Sequence, residues 1–425
     1  MTPFAAGEAP EKTDLTLGLV PLTDCAPIAI AVEHGFFAQQ GLNVTTTREH
    51  SWAGIRDQVA FGVLDAAQML ATMPLCTTLG LGGLKCPMVT ALVLDLGGNA
   101  ITLSTDLADA LRCEAEGPEE LGVHAAEPLR RVLRQRADRG EPPLRLGMVF
   151  PMSTHDLELR FWLASAGIDP DRDVELVVVP PPRMVDALER GELSGFCVGE
   201  PWNSLAVDRG LGEAVITKQQ LWNHSPEKVL GVTAQWAQNH PRTHAALIRS
   251  LLEACRWLDQ PENRAAACQT LALPQYVGVD AALLEHSMTG RFATAPHAAP
   301  AEMPDFHVFH QGQANFPWRS HAVWFLTQMM RWGRLDRGTD VHAVARQVIR
   351  PDLYRDAAQA MGLPCPDIDY KTEGHHPGPW ALPAADGPLS MGPDQWFDGH
   401  RFDPDQPIGY LEQFAVPRPS SALPR

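Results

Sequence analysis

Residues 15–44 read LTLGLVPLTDCAPIAIAVEHGFFAQQGLNV, and this stretch decides the fold. Leu15, Leu17 and Leu19 alternate as in a strand, and Pro21 and Asp24 break it. Ile28 to Phe37 is an apolar helix stopped near Gly41, and Leu42-Asn43-Val44 opens the next strand. Strand, loop, helix, strand is the first unit of a layered α/β protein. The same rhythm continues: a helix over 52–61 ending at Gly62, a strand over 65–70, a buried strand over 89–94, then Gly97-Gly98-Asn99 before a strand over 101–103.

Residues 105–143 change character. HAAEPLRRVLRQRADRGEPP, residues 124–143, is an arginine-rich helix whose Leu129, Val132 and Leu133 face the body. Its arginines form a charged solvent face, the plainer reading, with partner docking as the alternative. A second βα series follows: strands over 144–149, 174–179 and 195–198, with helices over 156–165 and 184–190 between them. The 174–179 strand reads as largely apolar. Helices return at 241–258 and 318–332, and the Pro-, Gly- and Asp-rich tail beyond 366 reads as a surface arm.

The expected organisation is therefore two α/β lobes with a hinge and a ligand cleft. Lobe I takes residues 1–104 together with 225–365, lobe II takes 105–224, and 366–425 is the arm. Solutes bind in such clefts, which close around them.

Composition narrows the function. The 425 residues carry a formal charge of −17, a field that repels nucleic acid and anionic membranes. An anion would need a local, pre-built site. Eight scattered cysteines with no CxxC spacing argue against zinc and fit a reducing compartment. There is no P-loop, nucleophile elbow or HExxH motif. No metal or other cofactor is expected. The leader MTPFAAGEAPEKTD has neither the basic start nor the apolar stretch of an export signal, so a cytoplasmic location is expected.

Several segments carry a resemblance. They include residues 21–44, HSWAGIRDQVAFGVLDAAQMLATMP (50–74), GGNAITLS (97–104), FPMSTHDLELRFWLASAGIDP (150–170), GEPWN (199–203) and WNHSPEKVLGV (222–232). NFPWRSHAVWFLTQMMRWG (315–333), PDLYRDAAQAMGLP (351–364) and FDGHRFDP (397–404) continue it. Together they resemble the type II solute-binding proteins for nitrate and bicarbonate, across most of the chain and in order. The resemblance implies the type II periplasmic-binding-protein fold. With no export signal, it points most closely to the NasS-type cytoplasmic nitrate/nitrite sensors. In that family the sensor sequesters a NasT-like, ANTAR-type RNA-binding antiterminator and releases it on anion binding, which controls nitrate-assimilation genes. The alternatives are the substrate-binding subunit of a nitrate, less readily bicarbonate, ABC transporter, and an enzyme like the thiamine-pyrimidine synthases.

The resemblance also implies the site. Nitrate is a planar anion whose oxygens only accept, so it needs several N–H donors and a compensating cation. Four residues match the family's anion-binding positions: Trp52, Asn99, His155 and Lys228. The exported receptors carry glutamine where Asn99 stands, and asparagine is one methylene shorter. In bicarbonate receptors the position of Lys228 is acidic and associated with a metal ion, so a lysine favours nitrate or nitrite. Met73, Pro74, Thr154 and Glu200 are expected to support these residues. Taken singly, each has a plainer reading as a packing, turn or surface residue. It is their joint occurrence that points to an anion site.

Overall fold

The computed structural model describes residues 9–416. The first eight residues of the leader lie outside the described residues.

Two sheets organise the chain. Their strands are β1 (Asp14–Leu19), β2 (Asn43–Arg48), β3 (Ala66–Leu70), β4 (Met88–Gly97), β5 (Asn99–Ser104), β6 (Arg145–Met148), β7 (Glu175–Val178), β8 (Gly195–Gly199), β9 (Gly212–Thr217) and β10 (Pro226–Thr233). The first sheet has the order β4-β10-β3-β1-β2, extended beyond β4 by the short strand His307–Val308. The second has the order β7-β6-β8-β5-β9. This is the α/β, periplasmic-binding-protein architecture expected from the sequence.

The chain passes from the first sheet to the second at Gly97-Gly98. Both glycines have positive φ, 81° and 83°, in the region that L side chains avoid. A Cβ on Gly97 would lie 2.3 Å from the Phe306 carbonyl oxygen, and one on Gly98 would lie 2.4 Å from the His307 ring. Glycine is therefore required twice at the crossover. In consequence β5 pairs with β8 and β9 in the second sheet, so the sheets part before Asn99 rather than at residue 104. The chain returns to the first sheet at β10, which is antiparallel to both β3 and β4.

Local differences from the sequence reading have simple causes. The first helix stops at Glu33 and resumes as Phe36–Gln39, because Gly35 adopts a left-handed conformation between them. The largely apolar strand over 174–179 is β7, an edge strand of the second sheet, so Glu175 is exposed and Val178 is 52% exposed. Leu247, Ile248, Leu251, Leu252, Cys255 and Leu258 do form the buried stripe of the helix Pro241–Leu258. In the arginine-rich helix Ala126–Asp138, Arg130, Arg131 and Arg136 pair with Glu127, Glu120 and Glu141, as in a solvated charged face. The eight cysteines are free thiols. Among the described residues no helix is long and apolar enough to cross a membrane.

The tail is an ordered arm through residue 416. Its Trp396 stacks on Trp222, with ring centroids 4.5 Å apart, and on Trp324 at 5.6 Å. Phe397 donates its backbone N–H to the Leu221 carbonyl at 3.0 Å. Phe397 and Phe414 also meet Phe161 edge-on, on the helix Thr154–Ser165. The arm thus ties the helix Arg319–Arg331, which carries Trp324, to a helix of the second sheet. Trp396 is 2% exposed. Trp396→Ala is expected to cost about 3–5 kcal/mol of stability, read by denaturant unfolding, because it empties the centre of this aromatic cluster.

Candidate functional site

The four candidate residues come from both sheets and meet between them. Trp52 is the first residue of the helix Trp52–Ala60, which is capped by the Ser51 hydroxyl accepting from the Gly54 N–H. Lys228 lies on β10, and its Nζ sits 5.4 Å from the Trp52 ring centroid. Asn99 starts β5, opposite Gly199 of β8. His155 lies in the first turn of the helix Thr154–Ser165. All four are essentially inaccessible to solvent.

The structure adds a set of charged groups around them. Lys228 Nζ lies 2.7 Å from Asp24 Oδ2 and 2.7 Å from Glu227 Oε1. Glu227 Oε2 pairs with Lys218 Nζ at 2.7 Å, and Lys218 also pairs with Glu158. The result is an alternating chain, Asp24–Lys228–Glu227–Lys218–Glu158, whose ends are acidic. It crosses from the first sheet to the second. Thr154 closes the crossing, donating its hydroxyl to Glu227 Oε1 at 2.7 Å. Asp95 accepts the Lys228 backbone N–H at 3.0 Å. Gln68 donates to Asp24 and accepts the Val20 N–H.

Two local devices build this chain. Consecutive strand residues normally point to opposite faces. Here the β10–β4 register shifts on both sides of Lys228, and such a bulge re-aims a side chain. Glu227 and Lys228 therefore reach the same cluster. Gly199 makes the second device: a Cβ there would lie 3.3 Å from Asn99 Oδ1 and 3.4 Å from Asp24 Oδ2. The missing side chain lets groups from the two sheets converge.

The electrostatics follow from burial. Burial opposes the charge of Lys228, yet Asp24, Glu227 and Asp95 hold its pKa above the usual lysine range. Burial likewise opposes ionisation of Glu227, but Lys218 and Lys228 outweigh it and keep the carboxyl well below its usual range. Burial drives His155 down to about 3 against the pull of Glu227, so the imidazole is neutral at pH 7. Its Nδ1 lies 3.5 Å from Glu227 Oε1. The polar atoms here without a hydrogen-bond partner include Trp52 Nε1, His155 Nε2, Asn99 Oδ1, Asp95 Oδ2 and His307 Nδ1. Buried polar groups are nearly always partnered, so orphaned atoms gathered beside a lysine mark a place for a polar ligand.

The supporting residues divide. Thr154 is within the cluster. Glu200 acts through its backbone, accepting the Thr23 N–H at 2.9 Å and donating to the Gly98 carbonyl at 3.0 Å. Its carboxylate instead accepts the Ser204 N–H, away from the charged chain. Met73 packs in the same apolar cluster as Trp52, and Pro74 lies in the first turn of the helix Met73–Leu79. Sequence reasoning missed Asp24, Asp95, Glu158, Lys218 and the participation of Glu227. Asp24 within an apolar stretch and Glu158 within LELRFWL were signals in hand, since an isolated charge among apolar residues is either exposed or paired.

Two α/β layers with charged and polar residues buried between them make up the periplasmic-binding-protein fold. The profile of the NMT1-like family matches residues 8–272, and the chain belongs to that family. A crystal structure of the periplasmic nitrate-binding protein NrtA from Synechocystis superposes with a TM-score of 0.85 at 32% identity, covering 96% of this chain and 100% of that one. The nitrate/nitrite binding protein NrtA of Synechococcus elongatus is 35% identical over 96% of this chain and 87% of its own length. Two relatives from Synechocystis are larger. The nitrate import ATP-binding protein NrtC is 42% identical over 97% of this chain, and the bicarbonate transport ATP-binding protein CmpC is 39% identical over 96%. The chain spans 57% and 56% of their lengths.

Removing the Lys228 charge leaves Asp24, Asp95 and Glu227 facing one another in the interior. Lys228→Met is expected to destabilise the protein by about 3–5 kcal/mol. The loss should be smaller at pH 6 than at pH 8, because protonation of these buried, unpaired acids relieves their repulsion. Urea unfolding at the two pH values measures both effects.

Proposed function

We propose that this chain binds nitrate or nitrite between its two sheets and serves as the binding unit of a nitrate-transport system. The observation that carries this reading is a pair of orphaned ring nitrogens, Trp52 Nε1 and His155 Nε2, on side chains buried around Lys228 and Glu227. The indole donates without bringing acceptor charge, and the neutral imidazole does so in the tautomer with its proton on Nε2, which suits an anion that only accepts. One feature favours nitrate over bicarbonate: a cation, Lys228, stands where the resemblance puts an acidic, metal-associated residue in the bicarbonate receptors.

The relatives described above are named as nitrate-binding, nitrate-import or bicarbonate-transport proteins. They support the transport reading better than the cytoplasmic sensor expected from the leader, and they give no support to an antiterminator partner. Their names also speak for binding and transport rather than for catalysis on this chain. No P-loop occurs in these 425 residues, so the match to the ATP-binding relatives does not bring nucleotide hydrolysis with it.

Titration calorimetry with nitrate, nitrite, bicarbonate and sulfate at pH 7 tests the ligand. Nitrate or nitrite should bind, and Trp52→Phe, which keeps the ring but removes the donor, should weaken binding about 10- to 100-fold. Failure of both nitrate and nitrite to bind the wild-type chain would end the proposal. Co-purification from native cells, with and without nitrate, separates the two roles: a permease supports transport, and an RNA-binding protein released by nitrate restores the sensor reading.

A further inference from the structure

The charged chain has more acids than bases. Asp24, Glu227 and Glu158 alternate with Lys228 and Lys218, and Asp95 stands behind Lys228. Two histidines also face it. His155 lies against Glu227, and His307 lies 3.6 Å from Asp95 Oδ2 while its Nε2 meets the Thr23 hydroxyl at 2.8 Å. Burial, more than any neighbour, holds His307 down to about 3, so it is neutral at pH 7 like His155. With all four carboxylates ionised, the two lysines leave the cluster with two excess negative charges. Glu200 adds no relief, since it too is acidic and faces Ser204. A further anion cannot enter such a site at low cost, because both ammonium groups are already shared between carboxylates.

Resting on the nitrate reading above, we propose that the site takes up its anion together with one proton, and that Asp24 is the group that accepts it. The geometry singles out Asp24. It is the one acid that both terminates the alternating chain and pairs with Lys228, the candidate anion-binding lysine. It also converges with Asn99 on Gly199, so it lies at the meeting point of the proposed ligand groups. Protonation would free Lys228 from one of its two carboxylate partners. It would also turn Asp24 from an acceptor that repels nitrate into an O–H donor that nitrate can use. Burial already lifts Asp24 to about 7, against the pull of Lys228, so the proton is available near neutral pH. Asp95 and Glu158 are lifted to about 7 by burial as well, but neither joins these two positions.

The sign is definite. Below about pH 7 the proton is already in place, and affinity should be level. Above it each nitrate must bring a proton, so affinity should fall by up to tenfold per pH unit. Calorimetry of the full chain with sodium nitrate, repeated at pH 8 in buffers of different ionisation enthalpy, counts the protons directly. The expected result is close to one proton taken up per nitrate in the wild type. Asp24→Asn should take up none and show a flat affinity from pH 6 to 8.5. Tight nitrate binding with no proton uptake overturns the proposal while leaving the nitrate reading intact. Proton uptake that persists in Asp24→Asn overturns the assignment to Asp24. Absence of nitrate binding at every pH removes both. The wild-type proton count decides the coupling even if the variant fails to fold.

Discussion

Two lysine side chains with no solvent exposure are the constraint around which this molecule is arranged. An ammonium ion carried into a protein interior must be repaid by partners of opposite charge. Glu227 serves both, with one oxygen on each, and so it becomes the point where the two sheets are joined. The elements near it can be read as consequences. The bulge in β10 aims Glu227 and Lys228 the same way, the helix Thr154–Ser165 begins with a hydroxyl aimed at Glu227, and Gly199 makes room for Asn99 and Asp24 to approach. An arrangement of this kind contributes little net stability compared with an apolar core of equal volume. Its value is that it is exacting about geometry, which is what a site for a small ligand needs.

Much of the fold was legible in the sequence because it rests on periodicity. The alternation in β1, the stripe of the helix Pro241–Leu258 and the glycine stops each report a local preference that packing reinforces. Lateral position within a sheet was less legible: β7 is largely apolar yet lies at an edge, where its Glu175 is exposed and pairs with Arg145. The crossover at Gly97-Gly98 was readable as a loop. That it must admit the Phe306 carbonyl and the His307 ring depends on residues more than two hundred positions away.

The site divided in a similar way. Trp52, Asn99, His155 and Lys228 were singled out as candidates because they stand in segments with a recognisable pattern, and the structure brings them together. The acids that hold them were not found. Each of Asp24, Asp95, Glu158 and Glu227 has a plausible local explanation, as a turn residue, a strand end, a helix surface or the neighbour of a lysine. Their shared role appears only when both sheets are in place. A sequence shows donors more readily than it shows the balance of charge around them, and here that balance bears on how an anion could be accommodated.

The glycine crossover has one more implication. The residue that packs against Gly98 is His307, and the same ring lies beside Asp95 and Thr23. The joint between the sheets and the edge of the charged cluster are therefore one piece of structure. Any change in the angle between the sheets alters the setting of an imidazole next to a buried carboxylate, with no intervening relay. The posture of the whole molecule and the electric field at its centre are coupled by direct contact.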